Sequence, residues 1–156
     1  MRASGLRLGR VAGIEVRLDF SLIVIFILIL ISLAGGIFPS WHPDWSAAMV
    51  WLTALAAALL FFVSVLLHEL SHALVGRRFG VVINRITLFM FGGMAHMENE
   101  PPSAGAEFWM AIAGPLTSFA LGILFGWLAG VLGGPIDVDT ADPGRAFSTK
   151  DRKSVV

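Results

Sequence analysis

Residues 61–75 read FFVSVLLHELSHALV, a strongly apolar run that holds His68, Glu69 and His72. Ionisable groups in membrane-length apolar sequence are expensive, so by default they mark an intramembrane functional site. The two histidines are four apart. On a helix they project from one face about one turn apart, and two imidazole nitrogens can converge on one ion. Glu69 follows the first of them and need not bind that ion, since it can take a proton from water and deliver it to a leaving amine. Zinc suits this set, because it combines imidazoles with an oxygen ligand and keeps a position for water, whose pKa it lowers toward neutrality. The competing reading is a polar knot, in which the three side chains hydrogen bond with one another between helices near the interface.

Composition agrees with a membrane setting. Of 156 residues, 56% are hydrophobic and 14% charged, well to the apolar side of ordinary soluble domains. Lys plus Arg equals Asp plus Glu at 11 each, so no global field draws the chain to nucleic acid. Cysteine is absent, so disulfides and thiolate metal sites are excluded and a metal must take His, carboxylate or water ligands.

Working outward, residues 47–75 form an apolar stretch longer than the roughly 20 residues a bilayer demands, and Arg77 and Arg78 follow it. Residues 1–18 carry Arg2, Arg7, Arg10 and Arg17 against Glu15 alone, which predicts a cytoplasmic amino-terminal segment. Residues 19–38 are too long for a signal-peptide core and predict a first span, which Pro39 should stop. The loop 39–46 has no Lys or Arg, and Trp41, Trp45 and Trp51 cluster around it as an interfacial belt, with His42 a solvated loop histidine. In 79–105, Val81, Val82, Ile83, Ile86 and Thr87 precede Gly92-Gly93, which predicts a hairpin at about 80–98 or a re-entrant segment. Its amides need partners at membrane depth, so it should lie against the helices that carry the histidines. Residues 107–132 predict a third span, interrupted at Gly114-Pro115 and followed by Thr117 and Ser118, either to admit a neighbour or as a packing kink. Residues 133–156 read as a polar, disordered tail. The expected fold is an all-α polytopic protein of the cell membrane: three transmembrane helices, with the hairpin or re-entrant segment between the second and third.

At this point the sequence resembles the site-2 proteases, in particular the prokaryotic members that often carry CBS domains. The likeness rests on GIEVRLDFSLIVIFILI, GGIFPSWHP, ALLFFVSVLLHELSHALVGRRFG, INRITLFMFGGMAHMENEPPSAGAEF and AIAGPLTS in that order, over roughly residues 10–130. The resemblance implies an intramembrane zinc metalloprotease, with His68 and His72 as zinc ligands and Glu69 as the catalytic acid/base. It implies substrates that are single-span membrane proteins, presented to the zinc by the hairpin region, and it places the AGPLTS helix beside the active site.

The family pattern also implies a third ligand, an aspartate in a later apolar helix. Asp137, Asp139 and Asp142 stand instead in the polar tail, which carries no likeness to the family, so the sequence reads as a truncated member. His96, beside the hairpin, is the other residue weighed for that position. Three functional classes stay open at this level: the protease, a catalytically inactive membrane-embedded remnant that binds a partner or substrate helix, and a metal-binding or transport protein. The last is disfavoured, because only one span carries ionisable residues at depth.

Overall fold

Residues 5–90 and 92–133, which the computed structural model describes, form a four-stranded sheet and three long helical stretches. The packing described below lies within residues up to Gly122; past it, the last helical turns expose Ile123, Trp127, Val131 and Leu132.

The chain opens with a hairpin, β1 (Gly5–Val11) against β2 (Ile14–Asp19). Its cause is a period of two: Ile14, Val16 and Leu18 alternate with Glu15, Arg17 and Asp19, and Ile14 and Val16 are buried. Ala12 and Gly13 turn the chain at φ 50° and 78°, the pair of left-handed residues that a two-residue hairpin loop needs. The all-α expectation is therefore corrected, and residues 5–18 of the segment expected to be cytoplasmic lie in a hairpin that the sequence reading did not anticipate. The arginines that suggest an orientation also alternate with apolar residues, and that alternation is a strand signal.

Asp19 ends β2 and caps the next element, its Oδ1 accepting from Ser21 N–H at 2.9 Å. There follow α1 (Phe20–Ser32), a wider π turn over Leu33–Ile37 that contains Gly35 and Gly36, and α2 (Phe38–Trp41). The helix does not stop at Pro39 as expected. Pro39 lies in the first turn of α2, just after the π turn has already shifted the i→i−4 ladder, so its missing N–H breaks little. The ring of His42 then stacks on Trp45, with centroids 4.1 Å apart.

Ser46 caps α3 (Ala47–Arg78), accepting from Met49 N–H. Its 32 residues span about 48 Å, more than the roughly 30 Å of a hydrocarbon core. The helix ends in a Schellman motif: Gly80 has φ 83°, its N–H donates to Arg77 O, and Val81 N–H donates to Gly76 O. That turn delivers the chain to β3 (Ile83–Phe89), which pairs parallel with β2 and antiparallel with β4 (Gly92–Met97), giving the order β1-β2-β3-β4. Ser103 then starts α4 (Ala104–Gly133), its Oγ accepting from Ala106 N–H. The expected interruption at Gly114-Pro115 is not seen, and α4 passes through both residues as a helix. The helical stretches Phe20–Trp41, Ala47–Arg78 and Ala104–Leu132 are each long and apolar enough to cross a membrane.

One face of the sheet packs on the helices through Ile14, Ile83, Ile86 and Leu88, which meet Leu22 of α1 and Leu70 and Ala73 of α3. Burying each large aliphatic side chain contributes about 1.5–3 kcal/mol. Arg77 adds a polar clamp at the same junction. Its Nη1 donates to Ala12 O at 2.6 Å, its Nη2 to Ile83 O at 2.7 Å and Gly13 O at 3.3 Å, and its Nε to Ile83 O at 3.2 Å. A single guanidinium thereby ties the end of α3 to the β1–β2 turn and to β3.

On the opposite face, Glu15 is surrounded by Arg17, Arg7 and Arg85. The hydrogen bond from Arg17 is the main influence and outweighs the opposing desolvation, so with the other arginines it holds the carboxyl below its ordinary value of 4.5.

Two outcomes follow. Arg77→Met should lower stability by about 2–4 kcal/mol, read as earlier thermal unfolding in detergent, and Arg77→Lys should recover less than half because an ammonium cannot span three carbonyls. The contribution of Glu15 is fully present above the unfolded pKa and is lost as pH falls through the depressed folded value. Glu15→Gln should therefore flatten acid unfolding below about pH 4.5.

Candidate metal centre

The HELSH segment lies in the last third of α3, with His68, Glu69 and His72 each partly buried. Helical spacing puts His68, His72 and Gly76 on one stripe of α3. On α4, Met110, Gly114 and Ser118 are likewise four apart. The two stripes meet in opposite directions. A Cβ on Gly76 would touch the end of Met110, a Cβ on Gly114 would run into Nε2 of both histidines, and Ser118 hydrogen bonds to His68.

The ring nitrogens divide their work. His72 Nδ1 donates to the carbonyl of Met110 at 2.6 Å, and a carbonyl can only accept, so in neutral His72 the proton is on Nδ1 and Nε2 keeps its lone pair. His68 Nδ1 lies 2.8 Å from Ser118 Oγ, a hydroxyl able to accept from or donate to it. The two Nε2 atoms face each other at 3.1 Å. Nitrogens bound tetrahedrally to one zinc at about 2.0–2.1 Å would stand about 3.3 Å apart, so the pair fits a shared ion. Both Nδ1 atoms have an oxygen partner that sets ring orientation, as metal-bound imidazoles usually do, and the Met110 carbonyl also fixes the tautomer of His72. Gly114 completes the fit, because the space in front of both Nε2 atoms is space that any side chain there would fill.

Glu69 turns another way. A Cβ on Gly93 would overlap its Cγ, carboxyl carbon and Oε2, so the carboxylate lies directly against the backbone of β4. The hairpin expected against the histidine-bearing helix is present as β3 and β4, and its glycine is what lets the strand approach Glu69. Within α3, Ser71 Oγ donates to His68 O at 2.7 Å and Ser64 Oγ to Leu60 O at 2.8 Å, so these hydroxyls are satisfied without leaving the helix.

His96 does not join this group. It is exposed on β4 opposite Arg85 and lines a separate cavity on the sheet with Arg10, Glu15 and Glu98. Among the described residues no three His, Asp or Glu side chains converge as a metal site. Asp137, Asp139 and Asp142, like the predicted tail, lie outside the described residues. Sequence reasoning reached the histidines and Glu69 but not their partners. Pro115 frees the carbonyl that the i→i−4 rule assigns to Ala111, yet the carbonyl in use is that of Met110, one residue earlier. The signal that finds the partners is the four-residue spacing Met110–Gly114–Ser118, matched to His68–His72–Gly76.

The sequence pattern of Peptidase family M50 matches residues 56–155. The matched range runs beyond Gly133 into the polar segment where no likeness was expected. Rip3 of Mycobacterium tuberculosis, which carries the name of a zinc metalloprotease, is 41% identical over 127 residues, 81% of this chain and 32% of its own. A zinc metalloprotease of Methanocaldococcus jannaschii is 35% identical over 119 residues, 76% of this chain and 31% of its own. The solved structure of the site-2 protease from Methanocaldococcus jannaschii superposes with a TM-score of 0.59 at 32% identity, covering 81% of this chain and 52% of that one. The chain thus spans about a third of the length of the curated relatives it matches.

Gly114→Ala tests the fit. The substitution favours helix by about 1 kcal/mol yet places a methyl against both Nε2 atoms. Zinc retained after purification, measured by elemental analysis against added chelator, should fall about 10- to 100-fold in affinity while helical content is kept.

Proposed function

The chain belongs to peptidase family M50, and from that premise we propose that it forms the histidine-bearing part of an intramembrane zinc metalloprotease acting on peptide bonds of membrane-spanning proteins. The observation that carries this reading is the pair of Nε2 atoms, 3.1 Å apart beside the bare Cα of Gly114, with both Nδ1 atoms hydrogen bonded from behind. His68 and His72 would hold the zinc. When bound, zinc supplies a Lewis acid that polarises a carbonyl and acidifies water.

The rest of the chemistry belongs to the side chains. Glu69, one residue after the first ligand and against the β4 backbone, accepts a proton from the attacking water and returns it to the leaving amine nitrogen. Met110 O and Ser118 Oγ keep the two Nε2 atoms turned toward each other. The apolar helices exclude bulk water and so strengthen each electrostatic contact inside. The substrates would be single-span membrane proteins. The amino-terminal hairpin would lie on the cytoplasmic side, where Arg7, Arg10 and Arg17 with Arg77 and Arg78 satisfy the positive-inside rule.

An inert remnant that binds a partner helix is the second reading, and the same variants separate the two. In detergent or reconstituted membrane, Glu69→Gln should leave zinc content unchanged and lower cleavage of a single-span substrate about 10²–10⁴-fold. His68→Ala should abolish both. A wild-type preparation that holds no zinc and cleaves nothing, yet binds a helix equally well after His68→Ala, would establish the remnant instead.

A further inference from the structure

The face of the sheet turned away from the helices has no part in the metal centre, yet it carries a second concentration of polar groups. A cavity of about 520 Å³ opens there, lined by Arg10, Glu15, Asn84, Arg85, His96 and Glu98 among others. Its two carboxylates are already engaged. Glu15 is held by Arg17, Arg7 and Arg85, and Glu98 accepts a hydrogen bond from Asn84 Nδ2. The donors are in excess: Arg7, Arg10, Arg17 and Arg85 share Glu15 as their neighbouring carboxylate, and His96 stands opposite Arg85. Arg85 Nε is buried beside the cavity without a hydrogen bond, its nearest carboxylate being Glu15 Oε1 at 3.7 Å.

We propose that this cavity binds the phosphate of an anionic phospholipid, with Arg10, Arg85 and His96 as its donors. Two features select a lipid over a free phosphate. Strand β2 runs through Asp19 directly into Phe20, the first residue of a membrane-length apolar helix, so the sheet stands where the chain enters the bilayer. On β1, two residues before Arg10, Leu8 lines an apolar groove of about 260 Å³ with Leu18, Leu22 and Phe26, and Met94 and Met97 are exposed on β4. The groove lies on the helix-facing side of the sheet, so cationic donors and apolar surface meet around its β1 edge, a pairing of the kind that interfacial anchors use. The surplus of arginine matches the negative surface potential of anionic lipid, where each Lys or Arg contributes about fivefold in association.

The test uses the full chain in bilayer discs of equal phosphatidylglycerol and phosphatidylcholine, with retained lipids counted by native mass spectrometry after gentle extraction. The wild type should keep phosphatidylglycerol in preference by about fivefold or more. Arg10→Ala, an exposed change on β1, should cut that preference about fivefold, Arg10→Lys should restore most of it, and His96→Ala should lower it less. Equal retention of the two lipids, or a preference indifferent to Arg10→Ala, overturns the proposal. Complete displacement of phosphatidylglycerol by excess inorganic phosphate also overturns it, since the site would then take free phosphate.

Discussion

Two hydrogen bonds between α3 and α4 organise the candidate site: His72 to the carbonyl of Met110, and His68 to the hydroxyl of Ser118. In lipid there is little hydrophobic drive to bring helices together, so polar contacts and close fits decide where one helix lies on another. Such a bond contributes about 0.6–2 kcal/mol. Met110, with its end against Gly76, and Gly114, with its bare Cα over the imidazoles, supply the fit. The same contacts that seat α4 therefore also set the aim of the rings.

The sheet plays the corresponding part for Glu69. Ile14, Ile83, Ile86 and Leu88 hold it to α1 and α3, while Arg77 fixes the β1–β2 turn to the end of the helix one and a half turns past His72. Register then carries that anchoring along β3 to β4, where Gly93 pairs with Leu88 and meets Glu69. A shift of one residue would set Met94 or Gly92 at that position, and Met94 would turn its side chain into the carboxylate. The parallel pairing of β2 with β3 matters here, because both strands attach at the same end of α3.

Much of this was legible in the sequence, and what was missed has particular causes. The His-x-x-x-His spacing and the long apolar runs are local periodicities, and they gave the spans and the three polar residues directly. Residues 5–19 were harder, because Arg7, Arg10 and Arg17 carry two messages at once, orientation and strand alternation. Pro39 was read as a stop and Pro115 as an interruption, but each sits where its lost N–H costs little or is tolerated by the helix around it. The partners Met110 and Ser118 depend on which stripe of α4 faces α3. One segment alone does not contain that fact, although matching two four-residue stripes does.

The polar-knot reading and the metal reading need not exclude each other, and the tautomers show why. As a knot, the network works through Nδ1, and Met110 O forces the proton of neutral His72 onto that atom. Its Nε2 is then an acceptor turned toward a second Nε2 at 3.1 Å. If Ser118 accepts from His68 as well, two lone pairs face each other in a weakly polar setting, which is repulsive until a proton or a cation lies between them. If Ser118 donates instead, His68 carries its proton on Nε2 and closes the gap with a hydrogen bond to His72. The hydroxyl of Ser118 permits both arrangements at no cost in partners. A group that only accepts or only donates would not: a carbonyl would fix the proton on Nδ1, and a backbone N–H would drive it to Nε2 and cancel the ligand. A serine at this position lets the histidine pair remain satisfied without an ion and still offer two lone pairs to one.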